Sequence, residues 1–207
     1  MRDFTQEALM AVTTAVLAAL VLTAAPQRNT EQQARLAEQI GKGIVTLPDY
    51  SLFDHIAYVF QDGGSTVVLR GQAAKPGLKS SAERVVAKLE GVGKVVNEIE
   101  VLPNSPNDER VRAGVYARVY GHPTLSRYDP NRGTPLFSSI ARRNFGISTD
   151  PPPGNHPIHI IVKNGDVTLE GAVDTQGDNT IAGLQANSTP GTFSVTNNLV
   201  VRNAGAR

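Results

Sequence analysis

Four histidines, two aspartates and a run of arginines are the residues of this chain whose types could do chemistry. His55, His122, His156 and His159 are its imidazoles. Metal binding would need several of them together. His156 and His159 lie three apart at the start of an apolar stretch, and a strand sends such positions to opposite faces. The chain has no Cys, so it has no thiolate ligand, no thiol nucleophile and no disulfide. Asp174 and Asp178 fall at a predicted helix start, where carboxylates complement the helix dipole. No Gly-x-Ser-x-Gly, P-loop or dinucleotide fingerprint occurs. The chain reads as non-enzymatic, with no cofactor and no metal.

The arginines are unevenly placed. Between Glu109 and Arg143 stand seven arginines against Glu109 and Asp129, a net charge of +5. Residues 30–104 carry eight Lys/Arg and nine Asp/Glu, a net of −1. The basic stretch also holds Tyr116, Tyr120, Tyr128 and Phe137, with Phe145 just after it. Arginine beside aromatics suits an anionic phosphate surface, each cation contributing roughly 1 kcal/mol near such a membrane. Arg110, Arg112, Arg118, Arg142 and Arg143 are the expected lipid-binding cations, with Phe137 and Phe145 as interfacial anchors. Arg142 and Arg143 lie off every predicted apolar stripe, so both are expected to be free of the fold. The overall charge of +1 argues against a general affinity for nucleic acid.

The elements that must position these residues come in two copies. Val67-Val68-Leu69-Arg70-Gly71 returns as Val167-Thr168-Leu169-Glu170-Gly171, and Ala82 and Gly91 return as Ala182 and Gly191. Val95 to Val101 returns as Val195 to Val201, again at a spacing of 100. Such a repeat is one supersecondary unit used twice. In the first copy Thr30-Glu31-Gln32-Gln33 reads as a capping box opening a helix, with Leu36, Ile40 and Ile44 on one face and Gly41 and Gly43 as its stop. Phe53–Gln61 and Thr66–Gln72 read as a hairpin around Asp62-Gly63-Gly64-Ser65. A capping box at Ser80 predicts a second helix with Ala82, Val85, Val86 and Leu89 inward, and Val95–Val101 reads as a third strand. In the second copy Ser105 and Pro106 start a helix with Val111, Val115 and Val119 inward. Asn164-Gly165 marks a hairpin, and a helix over 175–187 leads to a strand over 193–201.

The expected fold class is therefore α+β: two tandem αββαβ two-layer modules over 30–104 and 105–203. Each is a three-stranded mixed sheet covered by two helices. The second module departs from symmetry by an insertion at about 122–156, rich in Pro, Gly and Arg, where little core is expected. Ahead of both, Ala8 to Ala25 is uncharged and apolar. Residues 1–29 have the layout of a secretory signal or an N-terminal membrane anchor. Either places the folded part in the periplasm or cell envelope.

These residues also carry a resemblance. Val67-x-Leu69-x-Gly71, then Gly91-Val92-x-x-Val95-x-Asn97-x-Ile99-x-Val101, resembles the BON domain of bacterial osmotic-stress and nodulation proteins. It recurs as Gly165-x-Val167-x-Leu169-x-Gly171 and Gly191-x-x-x-Val195-x-Asn197-x-Leu199-x-Val201, departing at Thr192 where the pattern has Val. The resemblance implies a non-catalytic envelope protein that binds phospholipid surfaces, with a link to osmotic or envelope stress. The alternative is a protein–protein or scaffold module acting through an exposed sheet edge. The partner is then an anionic phospholipid surface or an envelope protein. Gly71, Gly91, Asn97, Gly171, Gly191 and Asn197 are read as structural: the Gly for close backbone approach, the half-buried Asn for a backbone hydrogen bond.

Overall fold

The computed structural model describes residues 25–202 apart from Thr134, Leu136 and Phe137. The expected signal or anchor falls mainly on residues 1–24, outside the described residues. Among the described residues no helix is long and apolar enough to cross a membrane.

The first half of the chain runs α1 (Ala25–Val45), β1 (His55–Gln61), β2 (Thr66–Ala73), α2 (Pro76–Val86), β3 (Lys94–Asn97) and β4 (Glu100–Val101). β2 lies in the middle of its sheet. It pairs antiparallel with β1, Ile56 opposite Gly71, and parallel with β3 and β4, Val67 opposite Val95. Alternate residues of β2 face the helices, and Val67 and Leu69 are fully buried. Leu36, Ile40 and Ile44 of α1 and Leu78, Ala82 and Val86 of α2 close over them. Each large apolar side chain so buried stabilises the module by about 1.5–3 kcal/mol.

Several boundaries differ from expectation. β1 starts at His55, two residues after Phe53. α1 passes through Thr30 instead of starting there, and it continues to Val45 past Gly41 and Gly43. Gly43 is accepted inside the helix because α2 crosses there: a Cβ on it would meet Val85 Cγ1 at 3.1 Å. α2 starts at Pro76, not at Ser80. Pro at the first helical position loses no hydrogen bond, and Leu78, Ala82 and Val86 then form one stripe at helical spacing. The third strand is broken into β3 and β4: the Glu98 amide still makes its ladder bond to the Leu69 carbonyl at 2.8 Å, and the Ile99 amide then turns to the Asn97 side chain.

The second half repeats the plan: α3 (Pro106–Gly121), α4 (Ile140–Phe145), β5 (Ile158–Lys163), β6 (Asp166–Val173), α5 (Gln176–Asn187), β7 (Ser194–Asn197) and β8 (Val200–Val201). β6 is the middle strand, with β5 antiparallel and β7 and β8 parallel to it. Ser105 caps α3 by accepting from the Asp108 amide, and Thr175 caps α5 in a full capping box with Asp178. Thr189 stands where the first copy has Leu89, and the helices close the difference: a Cβ on Gly114 of α3 would lie 2.7 Å from Thr189 Cγ2.

The two halves share core. Leu52 and Phe53, ahead of β1, are buried in the cluster that contains Val115, Ile160 and Leu169. The expectation of little core in the insertion is corrected in the same cluster. Leu125, Tyr128 and Ile147 are buried there, so the insertion supplies packed side chains.

Candidate functional site

The motif residues hold the sheet together. Gly71 has φ 114° and Gly171 has φ 115°, a region that side chains with a Cβ disfavour. A Cβ on either would press far inside contact distance of a backbone carbonyl, that of His55 or that of Pro157. Asn97 sits where the third strand breaks. Its Oδ1 accepts from the Ile99 amide at 3.2 Å, and its Nδ2 donates to the Lys79 carbonyl of α2 at 3.0 Å. Asn197 does the same with the Leu199 amide and the Asn179 carbonyl. One side chain thus satisfies the amide exposed at the break and ties the second helix of each module to its sheet. Gly91 and Gly191, at φ 92° and 88°, turn the chain between that helix and β3 or β7.

The arginines divide into two kinds. Arg112 is buried at 2% exposure. It donates to Glu109 Oε1 at 2.7 Å and to the Val162 carbonyl at 2.8 Å. It therefore binds α3 to β5 and is withdrawn from the lipid-binding set. Arg142 is withdrawn too, with its side chain 10% exposed. Its Nη1 donates to the carbonyls of Asp150 (3.2 Å) and Pro151 (3.3 Å) and lies 3.6 Å from Asp150 Oδ2. Arg127 stacks on the Tyr128 ring at 4.7 Å and pairs with Asp178 and Asp174.

These fastenings hold the described part of the insertion against the second module. Tyr128 donates to Asp178 Oδ2 at 2.9 Å and accepts from the Asp174 amide at 2.7 Å. Burial pushes the Asp178 carboxyl up, but the Thr175 and Tyr128 hydroxyls and the Arg127 charge outweigh it, leaving the carboxyl below its ordinary range. Tyr120 donates to the Ile158 carbonyl at 2.6 Å and accepts from the Ile158 amide. Buried His156 packs its ring against Tyr116 and Tyr120 and lies 3.6 Å from Asp129. The Tyr116 hydroxyl, pushed up to about 12 by burial and then by Asp129, stays protonated.

Arg110, Arg118 and Arg143 are exposed, but they are not gathered together. Arg110 reaches Asn107 at 3.4 Å, Arg118 reaches Ser188 beyond the end of α5 at 3.3 Å, and Arg143 stands on α4. Phe137 lies outside the described residues. Phe145, at 70% exposure, does face solvent, and so does Ile140, at 65%, which sequence reasoning passed over. Its signal was present: Ile140 and Arg143 are three apart, on neighbouring helical positions. The candidate site is therefore α4. Ser139 caps it by accepting from the Ala141 amide at 3.1 Å. Arg142 ties the helix down, Ile140 and Arg143 are exposed as neighbours on it, and Phe145 is exposed at its last position. No group of three His, Asp or Glu among the described residues could hold a metal ion.

Removing the Arg142 clamp tests this division. Arg142→Ala leaves two carbonyls without their donor and the Asp150 carboxylate without its cation, a local loss of about 1–3 kcal/mol. Limited proteolysis should cut within 130–155 at least about fivefold faster than in the parent, while Arg143→Ala leaves the rate unchanged.

The model of the BON domain family matches residues 33–103 and 146–203. Two solved structures of CdsD, a structural protein of the type III secretion system of Chlamydia trachomatis, are also similar. The C-terminal domain is 15% identical, with 81% of this chain and 97% of that one covered and a TM-score of 0.26. The second is 15% identical, with 83% and 95% covered and a TM-score of 0.27. No curated protein matches the chain.

Proposed function

The chain belongs to the BON domain family, and on that premise we propose that it is a non-catalytic envelope protein that docks on anionic phospholipid surfaces through α4. The observation that carries this reading is the exposed trio on that helix. Ile140, a helical neighbour of Arg143, and Phe145, at the end of the helix, expose most of their apolar surface, while Arg142 ties the helix to the segment after it. An apolar residue can enter the headgroup layer while the guanidinium pairs with phosphate. Export by an N-terminal signal and a place in the periplasm or cell envelope belong to the same proposal.

Replacing Arg143 by Glu and Phe145 by Ser tests it. The lost cation contributes roughly 1 kcal/mol, and the phenyl ring about 1.5–3 kcal/mol when buried. Co-sedimentation with anionic vesicles should weaken at least about tenfold, with the circular dichroism unchanged. Equal binding by parent and variant would remove α4 from the account.

A protein–protein reading draws support from a different surface. Among the described residues β1 pairs on one side only, with β2, and Val59 on it is 42% exposed. An edge with apolar surface can accept another strand. Its contacts would be insensitive to salt, which separates it from docking through Arg143.

A further inference from the structure

The two modules meet along a seam that carries two imidazoles. The Ile160 amide of β5 donates at 2.7 Å to the carbonyl of Leu52, in the segment leading into β1. On the same strand His159 stands edge-on to His55 of β1, centroids 6.1 Å apart, and tilted against Tyr50 at 5.7 Å. His159 Nδ1 is buried with no hydrogen-bond partner. The groups facing this pair come from every neighbouring element. The first module supplies Tyr50 and buried Asp54, whose carboxylate accepts from the Ala74 and Ser51 amides. β6 supplies Glu170, directly across the ladder from His159 and 4.0 Å from His55 Nε2. His156 precedes β5. Lys75 paired with Asp49 and Lys163 paired with Glu100 lie farther along.

We propose that this seam is an acid-sensitive hinge: protonation of His159 loosens β5 from the segment ahead of β1, so that the modules part while each stays folded. A proton on His159 places a buried charge beside His55; the backbone of Asp54 and Ser51 favours that proton, but burial and His55 outweigh it, and parting returns the ring to water. Parting also uncovers Leu52 and Phe53, which lie in the shared core.

The direction with pH follows from the titration. Burial, and after it the neighbouring His55, pushes His159 down to about 4, whereas a solvated imidazole titrates near about 6.5. The open state therefore takes up a proton that the closed state refuses. The closed seam has its full advantage above about pH 6.5. It loses up to about tenfold per pH unit on acidification towards about 4, and nothing further below that. Asp54 acts in the opposite sense, because burial raises its carboxyl and the closed state gains when that group is protonated. His156 is also pushed down by burial; its ring packs on Tyr116 and Tyr120 beside Asp129 of the second module, and its charge would add to the repulsion at His159.

Hydrogen exchange of the intact chain reads the opening directly. From pH 7 to 4.5 the protection factor of the Ile160 amide should fall at least about tenfold, while β2 and β6 keep their protection. His159→Phe and His159→Gln should each flatten that fall, the second serving if the first disturbs packing. Three results would overturn the hinge: an unchanged Ile160 amide, an undiminished fall in both variants, or loss of protection in β2 and β6 in step with Ile160.

Discussion

Arg112→Ala should be the most damaging single truncation in the second module, at a cost of about 3–5 kcal/mol. The guanidinium is 2% exposed and is the donor that reaches both Glu109 and the Val162 carbonyl. Its removal leaves a carboxylate, 15% exposed, and a strand carbonyl without that donor. It also leaves a cavity the size of a long side chain in the interior. Glu109 further accepts from the Ser148 amide at 3.0 Å, so the damage extends to the insertion. Equilibrium denaturation measures the loss. Arg112→Met, which fills the space without a donor, should recover the packing part only. A cost below about 1 kcal/mol for Arg112→Ala would return this residue to the surface set.

Gly171→Ala should cost at least about 3 kcal/mol, and Gly71→Ala a similar amount. Two effects add. An alanine held near φ 115° carries backbone strain of about 1–3 kcal/mol. Its methyl also collides with a backbone carbonyl that cannot rotate away, since that carbonyl belongs to the chain entering the paired edge strand. Relief requires β5 to shift from β6 at Ile158, which is fully buried. Denaturant midpoints of the two variants check this, and a loss under about 1 kcal/mol would mean that the strands part there easily.

The glycines, the asparagines and the strand order were legible because the duplication writes each of them twice. A position that returns after 100 residues with the same type is under the same local constraint, and alternation in Val67–Leu69 and Val167–Leu169 gives the inward face. The insertion was illegible for the converse reason. Leu125, Tyr128 and Ile147 reach the core from a segment with no helical or strand period, broken by Pro and Gly. Its order rests on side chains reaching carbonyls, carboxylates and hydroxyls far away in sequence, such as Tyr128 to Asp178. Charge misled in the same place. Arg112, Arg142 and Arg127 look alike in composition to Arg143, and only their partners separate them. Arg112 carried a warning: with Asp108, Val115 and Val119 it falls at helical spacing, so it lies on the buried arc of α3.

Docking by α4 is most directly tested on the parent protein, with vesicles of neutral lipid and vesicles containing anionic lipid, over a series of salt concentrations. The account predicts binding to the anionic vesicles alone, weakening steeply as salt rises from about 0.05 to 0.5 M. Equal binding to both vesicles, binding that ignores salt, or no binding at the lowest salt would contradict it.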